Sequence, residues 1–128
     1  MNFHLAIPSL DLQATKDFYL QIGGKMGREY ESHVVMRFFN CQLVAHKCDK
    51  SFIFPPKMYP RHFGMILFRY EELELVYSDV KLRGLEFFED MFMRHEGKFE
   101  EHKTFFLKDP SNNVIEFKAY KNLEAIFG

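Results

Sequence analysis

The chain has 128 residues and a formal net charge of -1, with 16 Phe, 6 Tyr and no Trp. This length suffices for one domain with a hydrophobic core. No basic stripe or block of like charge stands out, which argues against nucleic acid and anionic membranes as partners. No apolar run approaches the roughly 18 residues of a membrane span. The N-terminus MNFHLAIPSL lacks a basic segment before an apolar one, so no signal peptide is predicted.

The two cysteines, Cys41 and Cys48, lie in the segment CQLVAHKC. If this segment is one strand, they are about 23 Å apart at about 3.3 Å per residue. That distance is too long for a disulfide. Free thiols are typical of a reducing compartment, so we expect a cytoplasmic protein.

The first half of the chain predicts one strand, one helix and three further strands. FHLAIPS alternates as a strand, and Asp11 can cap the helix DLQATKDFYLQIGG, which two glycines end. The apolar stripe of this helix consists of Leu12, Thr15, Tyr19 and Ile22. KMGREYES, HVVMRFF and CQLVAHK then have the composition of strands.

The second half repeats this order after residues 49–60, a proline-rich segment that we interpret as a linker. RHFGMILF predicts a strand, and EELELVYSDVKLRG predicts a helix with Leu73, Val76 and Val80 on one side. LEFFEDMFM, EHKTFFLKD and NNVIEFKAY predict three more strands, with the turn DPSNN before the last. The tail KNLEAIFG predicts a short helix.

The order βαβββ therefore occurs twice, with hardly any residue identity between the copies. We predict an α+β fold in a single domain over residues 1–128. Its parts are a first module at 1–48, the linker at 49–60, a second module at 61–121 and a tail at 122–128. Two such modules predict curved mixed sheets around a cavity.

Each half opens on a predicted strand that carries a histidine, His4 in FHLAI and His62 in RHFGM. Side chains alternate across a strand, so one face of each strand is apolar and the other carries the polar residues, including Glu116 in the last strand. The neighbours on this second face are small or apolar, namely Ala6, Val44, Gly64, Ile66 and Val114. A plain solvent-exposed face is the alternative, but these neighbours favour a cavity wall. Two imidazoles and a carboxylate suit Fe(II) and related divalent metals.

At these residues the sequence resembles the vicinal oxygen chelate superfamily, which includes glyoxalase I, the fosfomycin-resistance proteins and the extradiol dioxygenases. The resemblance covers residues 3–120 and is carried by FHLAIPSLDLQATKDFY, RHFGMILF and FFLKDPSNNVIEFK. Within the group, the sequence is most similar to a branch labelled predicted dioxygenases. The resemblance implies the glyoxalase/bleomycin resistance/dioxygenase fold. It also implies a homodimer with each site assembled at or near the interface.

The resemblance implies metal ligands at His4, His62 and Glu116. A fourth ligand, usually glutamate in glyoxalase I, falls on Gln42, and this weaker neutral group favours a three-ligand site. His46 on the same strand is a rival to Gln42, but the two lie about 13 Å apart, so one metal cannot bind both. The expected metal is Fe2+, with Mn2+, Ni2+ or Zn2+ as alternatives.

A second departure from the superfamily concerns proton transfer. Ring-cleaving dioxygenases of this group place an acid–base tyrosine ten residues before the glutamate, and here that position is Phe106. Because phenylalanine cannot transfer a proton, His102 is the candidate catalytic residue. The candidate substrate-binding residues are Lys103, Tyr59, Arg61 and His46.

We therefore expect a metal-dependent dioxygenase that acts on a small, oxygen-rich substrate held through adjacent oxygens. The metal would serve as Lewis acid and template. One alternative is a glyoxalase-type isomerase or lyase at the same site. The other is a small-molecule binding protein of the resistance type, without catalysis.

Overall fold

The computed structural model describes residues 1–128 and divides into two compact units. One unit comprises Met1–Pro56 and Asp109–Asn113, and the other comprises Lys57–Lys108 and Val114–Gly128. The boundary at Pro56 lies inside the proline-rich segment. The turn DPSNN belongs to the first unit, although the strands on either side of it belong to the second.

The first unit contains a four-stranded mixed sheet with one helix. Its elements in chain order are β1 (Phe3–Ser9), α1 (Leu12–Gln21), β2 (Gly24–Glu29), β3 (His33–Phe38), β4 (Cys41–Lys47) and a short 3-10 helix (Lys50–Phe52). The strand order is β1-β4-β3-β2. β1 runs parallel to β4, and the other neighbours are antiparallel.

Helix α1 begins where the sequence predicts it. The Asp11 side chain accepts a hydrogen bond from the Ala14 backbone N–H at 3.0 Å, which satisfies one of the free donors of the first turn. The helix ends before Gly23, which has φ +104°, a conformation that favours glycine. Thr15, Tyr19 and Ile22 of the predicted stripe are buried.

The second unit repeats the arrangement. Its elements are β5 (Phe63–Leu67), α2 (Tyr70–Leu82), β6 (Phe87–Arg94), β7 (His102–Lys108), β8 (Val114–Tyr120) and a short 3-10 helix (Leu123–Ile126). The strand order is β5-β8-β7-β6, with β5 parallel to β8. The twofold βαβββ order and the α+β class are therefore confirmed, and each sheet is open and mixed.

Each sheet packs one face against its helix, as strand alternation predicts. The buried apolar residues of this kind in the first unit are Val34, Met36, Phe38, Leu43 and Ala45. In the second unit they are Phe105, Leu107, Ile115, Phe117 and Ala119, with Leu73 and Val80 from α2. The opposite faces carry the polar residues that the sequence singles out.

Three details of the sequence prediction are corrected or extended. His62 is not part of a strand, because β5 begins one residue later at Phe63. Phe3 does not lie on a buried face, since it is 64% exposed near the start of β1. Both cysteines are free thiols, as predicted. Neither helix is long and apolar enough to cross a membrane.

Asp109 fixes the turn DPSNN within the first unit. Its carboxylate accepts hydrogen bonds from the backbone N–H groups of Ser111 and Asn113, from the Asn113 amide and from the Tyr19 hydroxyl. Burial raises the pKa of the Asp109 carboxyl, and burial together with this carboxylate raises the pKa of the Tyr19 phenol well above its usual value. Asp109 thus joins α1 to a turn 90 residues further along the chain.

We expect Asp109→Ala to lower the free energy of unfolding by about 3 kcal/mol, because it leaves several buried donors without an acceptor. Urea unfolding followed by circular dichroism measures this change. Asp17→Ala is the matched control, since Asp17 is exposed and accepts only from Gln13; its expected effect is below about 0.5 kcal/mol. Equal effects of the two substitutions would contradict this role of Asp109.

Candidate functional site

His62 and Glu116 are in direct contact in the second unit. His62 Nε2 lies 2.7 Å from Glu116 Oε2. Glu116, at the centre of β8, is only 7% exposed, and the His62 side chain is 23% exposed. The structure therefore brings together two of the three principal metal ligands that the resemblance implies.

The hydrogen bond on the other side of the His62 ring determines which nitrogen can bind a cation. Nδ1 lies 2.6 Å from the Met58 carbonyl oxygen, which can only accept, so Nδ1 carries a proton. In the neutral ring, Nε2 then presents a lone pair to the Glu116 carboxylate. Two lone pairs at this distance repel, so a proton shared by the two atoms, or a metal ion bound by both, would stabilise the contact. A ligating histidine whose other N–H donates to a carbonyl is the usual arrangement in metal sites.

Thr104 and Lys118 hold the second oxygen of Glu116. The Thr104 hydroxyl donates to Oε1 at 2.8 Å, and Lys118 Nζ lies 3.8 Å from the same atom. Thr104 is fully buried. Oε1 is therefore engaged by the protein, whereas Oε2 is directed at His62.

Gly64 sets the separation of β5 and β8 beside this pair. Gly64 is paired with Glu116 in the parallel register. A Cβ atom at position 64 would lie 1.7 Å from the Glu116 carbonyl oxygen, which is impossible for any other residue without a backbone shift. Glycine at this position allows the segment carrying His62 to approach Glu116.

Aromatic rings surround the imidazole of His62. Phe106 lies opposite Glu116 in the β7–β8 pairing and meets the ring edge-on, at 5.3 Å between centroids. Tyr59 contacts His62 from another side at 5.7 Å. Phe92 stacks on Phe106, and the Arg94 guanidinium lies 5.8 Å from the Tyr59 ring. The pair thus lies against an aromatic wall that carries one cationic group.

A second pair, His4 and Gln42, lies on the first unit. The two residues are opposite each other in the β1–β4 register, and His4 Nδ1 is 2.9 Å from Gln42 Oε1. Because an amide oxygen accepts, Nδ1 donates and Nε2 of the exposed His4 remains available to a metal. Gln42 therefore acts here as an orienting partner of His4, since its oxygen is already engaged.

Each pair by itself offers groups that suit a divalent metal: an imidazole nitrogen and a carboxylate in the second unit, and an imidazole nitrogen in the first. No group of three or more His, Cys, Asp or Glu side chains that could hold a metal ion forms in the chain.

The structure does not bring His102 to Glu116. His102 begins β7 and pairs with Tyr120, four residues from Glu116 on β8, or about 13 Å along the strand. The ring is 7% exposed, its Nδ1 lies 2.9 Å from the Glu100 carbonyl oxygen, and it packs on Tyr120. These contacts account for His102 as a packed residue at the end of the sheet.

The predicted substrate-binding residues are dispersed. Lys103 lies on the helix-facing side of β7, where it pairs with Glu74 at 2.9 Å, so it is turned away from Glu116. Tyr59 contacts His62 and is 55% exposed, while Arg61 is exposed. His46 pairs with Pro8 in the β1–β4 register, four residues beyond Gln42. Of these residues, Tyr59 contacts the His62–Glu116 pair.

Sequence reasoning missed Thr104 and the Met58 carbonyl. A hairpin centred on DPSNN, with Phe106 opposite Glu116, would have placed Thr104 diagonally across from the carboxylate. The Met58 contact has no such signal, because it depends on the conformation of a loop.

A family model for the Glyoxalase/Bleomycin resistance protein/Dioxygenase superfamily matches residues 3–117. The chain belongs to this superfamily. Among curated proteins, none matches the sequence.

Solved structures agree with the superfamily assignment. A glyoxalase/bleomycin resistance protein/dioxygenase from Alicyclobacillus acidocaldarius is 42% identical, with a TM-score of 0.93 over 99% of this chain and 96% of that one. The fosfomycin resistance protein FosX from Listeria monocytogenes has a TM-score of 0.72 at 17% identity, covering 98% and 94% of the two chains. A lactoylglutathione lyase from Agrobacterium tumefaciens has a TM-score of 0.73 at 17% identity, covering 100% and 96%. The last two show the superfamily fold alone.

We expect Gly64→Ala to destabilise the protein by about 3 kcal/mol, because the new methyl group overlaps the Glu116 carbonyl oxygen and forces β5 away from β8. Urea unfolding measures the effect. Ile66→Ala is the control on the same strand; Ile66 is 41% exposed, so its loss is expected to cost about 1 kcal/mol or less. A Gly64→Ala protein as stable as the wild type would disprove the steric argument.

Proposed function

We propose that this protein is a metal-dependent dioxygenase whose metal is held by His62, Glu116 and His4. The observation that carries the proposal is the 2.7 Å approach of His62 Nε2 to the Glu116 carboxylate, with Nδ1 committed to the Met58 carbonyl. A metal ion bound by both Nε2 and the carboxylate would satisfy this arrangement. Two histidines and one carboxylate with open positions are typical of non-haem Fe(II) oxygenases, so Fe2+ is the first choice, with Mn2+, Ni2+ or Zn2+ as alternatives.

We propose that His4 comes from a second copy of the chain. The pair His62–Glu116 and the residue His4 belong to different compact units, and no three-ligand group forms in the single chain. Homodimers with a site at or near the interface are what the superfamily resemblance implies. A symmetric dimer would complete two such sites at once.

When bound, the metal would supply Lewis-acid and dioxygen chemistry to a small substrate held through adjacent oxygens. The chain's own residues have other tasks. The Met58 carbonyl and Gln42 each engage Nδ1 of one imidazole, which leaves Nε2 for the metal, and Thr104 fixes the carboxylate. The aromatic wall excludes water and contacts an apolar part of the substrate. Arg94 and Lys118 provide positive charge for an anionic substrate oxygen.

A second candidate is a binding protein that sequesters a small molecule. The observation that favours it is Phe106, which lies opposite Glu116 but cannot transfer a proton. In a glyoxalase-type isomerase or lyase, the third possibility, Gln42 would have to replace a ligand glutamate, and its oxygen already accepts from His4.

We expect protein purified without a tag and loaded with Fe2+ under anaerobic conditions to retain about one metal ion per chain. His62→Ala is expected to abolish this binding, because it removes a nitrogen ligand. Metal analysis after desalting gives the stoichiometry. His102→Asn is the control, since His102 lies far along the strand and should leave the metal content unchanged. Full metal retention in His62→Ala would refute the proposed site and would leave the contact as an ordinary ion pair.

We expect Thr104→Val to weaken metal binding by roughly tenfold to a hundredfold while the protein stays folded, because the isosteric side chain no longer holds the Glu116 carboxylate. Competition with a metal-binding dye measures the affinity. A variant with wild-type affinity would show that the Thr104 hydroxyl does not support the ligand.

Activity assays separate the candidate functions. The Fe2+-loaded protein should take up oxygen with at least one member of a catechol panel, and this uptake should be lost in Glu116→Gln. Turnover of a glutathione hemithioacetal without oxygen uptake would instead identify an isomerase or lyase. Ligand binding without either reaction would identify a binding protein.

A further inference from the structure

A pair of stacked histidines lies on the first unit, apart from the ligands proposed above. His33 and His46 are directly opposite each other in the antiparallel β3–β4 register. Their imidazole rings are 5.2 Å apart between centroids and inclined by 23°. Opposed residues in such a pair have Cβ atoms about 5 Å apart, close enough for two imidazoles to share one metal ion.

The surroundings of His33 hold its ring in place. Tyr30 stacks on the side away from His46, at 4.6 Å and 22°. The Ser32 hydroxyl lies 2.8 Å from His33 Nδ1. When Nδ1–H donates to this hydroxyl, Nε2 presents its lone pair outward. In metal-bound histidines, the ring nitrogen that does not bind the metal usually donates a hydrogen bond of this kind.

Both histidines have free nitrogen positions. His46 is exposed, and its ring stacks on that of His33. His33 is half-buried and uses only Nδ1 in a hydrogen bond. Because His46 is exposed, rotation of its side chain between staggered rotamers would turn its Nε2 towards Nε2 of the His33 ring without moving the backbone.

We propose that His33 and His46 form a second metal site, a cross-strand bis-histidine site for a late first-row divalent ion such as Cu2+, Ni2+ or Zn2+. Imidazole nitrogens suit these ions, and their affinity rises towards Cu2+. Only two protein ligands are present, so water fills the remaining positions. His46 lies four residues from Gln42 on β4, or about 13 Å, so this site is separate from His4 and Gln42.

Calorimetric titration with Ni2+ tests the proposal, because Ni2+ binds imidazole. The starting protein is the untagged double variant His4→Ala/His62→Ala, which lacks both histidines of the proposed catalytic site. It should bind one Ni2+ per chain. Adding either His33→Asn or His46→Asn should weaken binding by at least roughly tenfold, because a two-ligand site becomes a one-ligand site. Adding His95→Asn is the matched control and should leave binding unchanged; His95 has another histidine, His102, at 6.0 Å, but that ring is buried.

A nuclear magnetic resonance titration of the wild-type protein with Ni2+ keeps the test independent of the variants. The ring signals of His33 and His46 should broaden together at sub-stoichiometric Ni2+. The proposal is overturned if the double variant binds no Ni2+, if His95→Asn weakens binding as much as His33→Asn does, or if the two ring signals respond separately.

Discussion

The close approach of His62 Nε2 to the Glu116 carboxylate is the interaction on which the candidate site depends. The Met58 carbonyl accepts a hydrogen bond from Nδ1–H, and the Thr104 hydroxyl donates one to Oε1 of the carboxylate. What remains is a nitrogen lone pair facing a carboxylate oxygen at 2.7 Å. Such a pair is stable only around a positive charge. A proton satisfies it in an ion pair, and a divalent metal satisfies it more strongly when further ligands are supplied.

The sheet of the second unit makes this approach possible. β5 and β8 run parallel, so His62, immediately before β5, reaches the middle of β8. Gly64 removes the side chain that would collide with the Glu116 carbonyl oxygen. Phe106 and Tyr59 then cover the imidazole with rings. The first unit repeats this design in outline, since β1 and β4 are parallel and place His4 opposite Gln42.

Much of this architecture could be predicted from local patterns. The Asp11 cap, the positive φ of Gly23 and the period-two alternation of the strands are short-range properties, and they gave both modules in the right order. The proximity of His62 and Glu116 could be predicted because both residues match metal-ligand positions that the superfamily resemblance implies. The strand predicted from Arg61 begins two residues later, at Phe63, which is within the usual uncertainty of element boundaries.

What could not be predicted depends on register and on loops. His102 and Lys103 are near Phe106 in sequence, but the register places His102 four residues from Glu116 along the strand, and alternation turns Lys103 towards Glu74. The cross-strand stack of His33 on His46 likewise follows from the β3–β4 register, which two separate strand predictions do not supply. The Met58 carbonyl is positioned by a loop whose conformation has no signature in the sequence.

Anomalous diffraction from crystals grown with Fe2+ and measured at the iron edge tests the central claim most directly. The account predicts one iron peak in contact with both His62 Nε2 and the Glu116 carboxylate, with His4 Nε2 of the neighbouring subunit as the third protein ligand. Iron bound elsewhere, while His62 and Glu116 keep their direct contact, would contradict it.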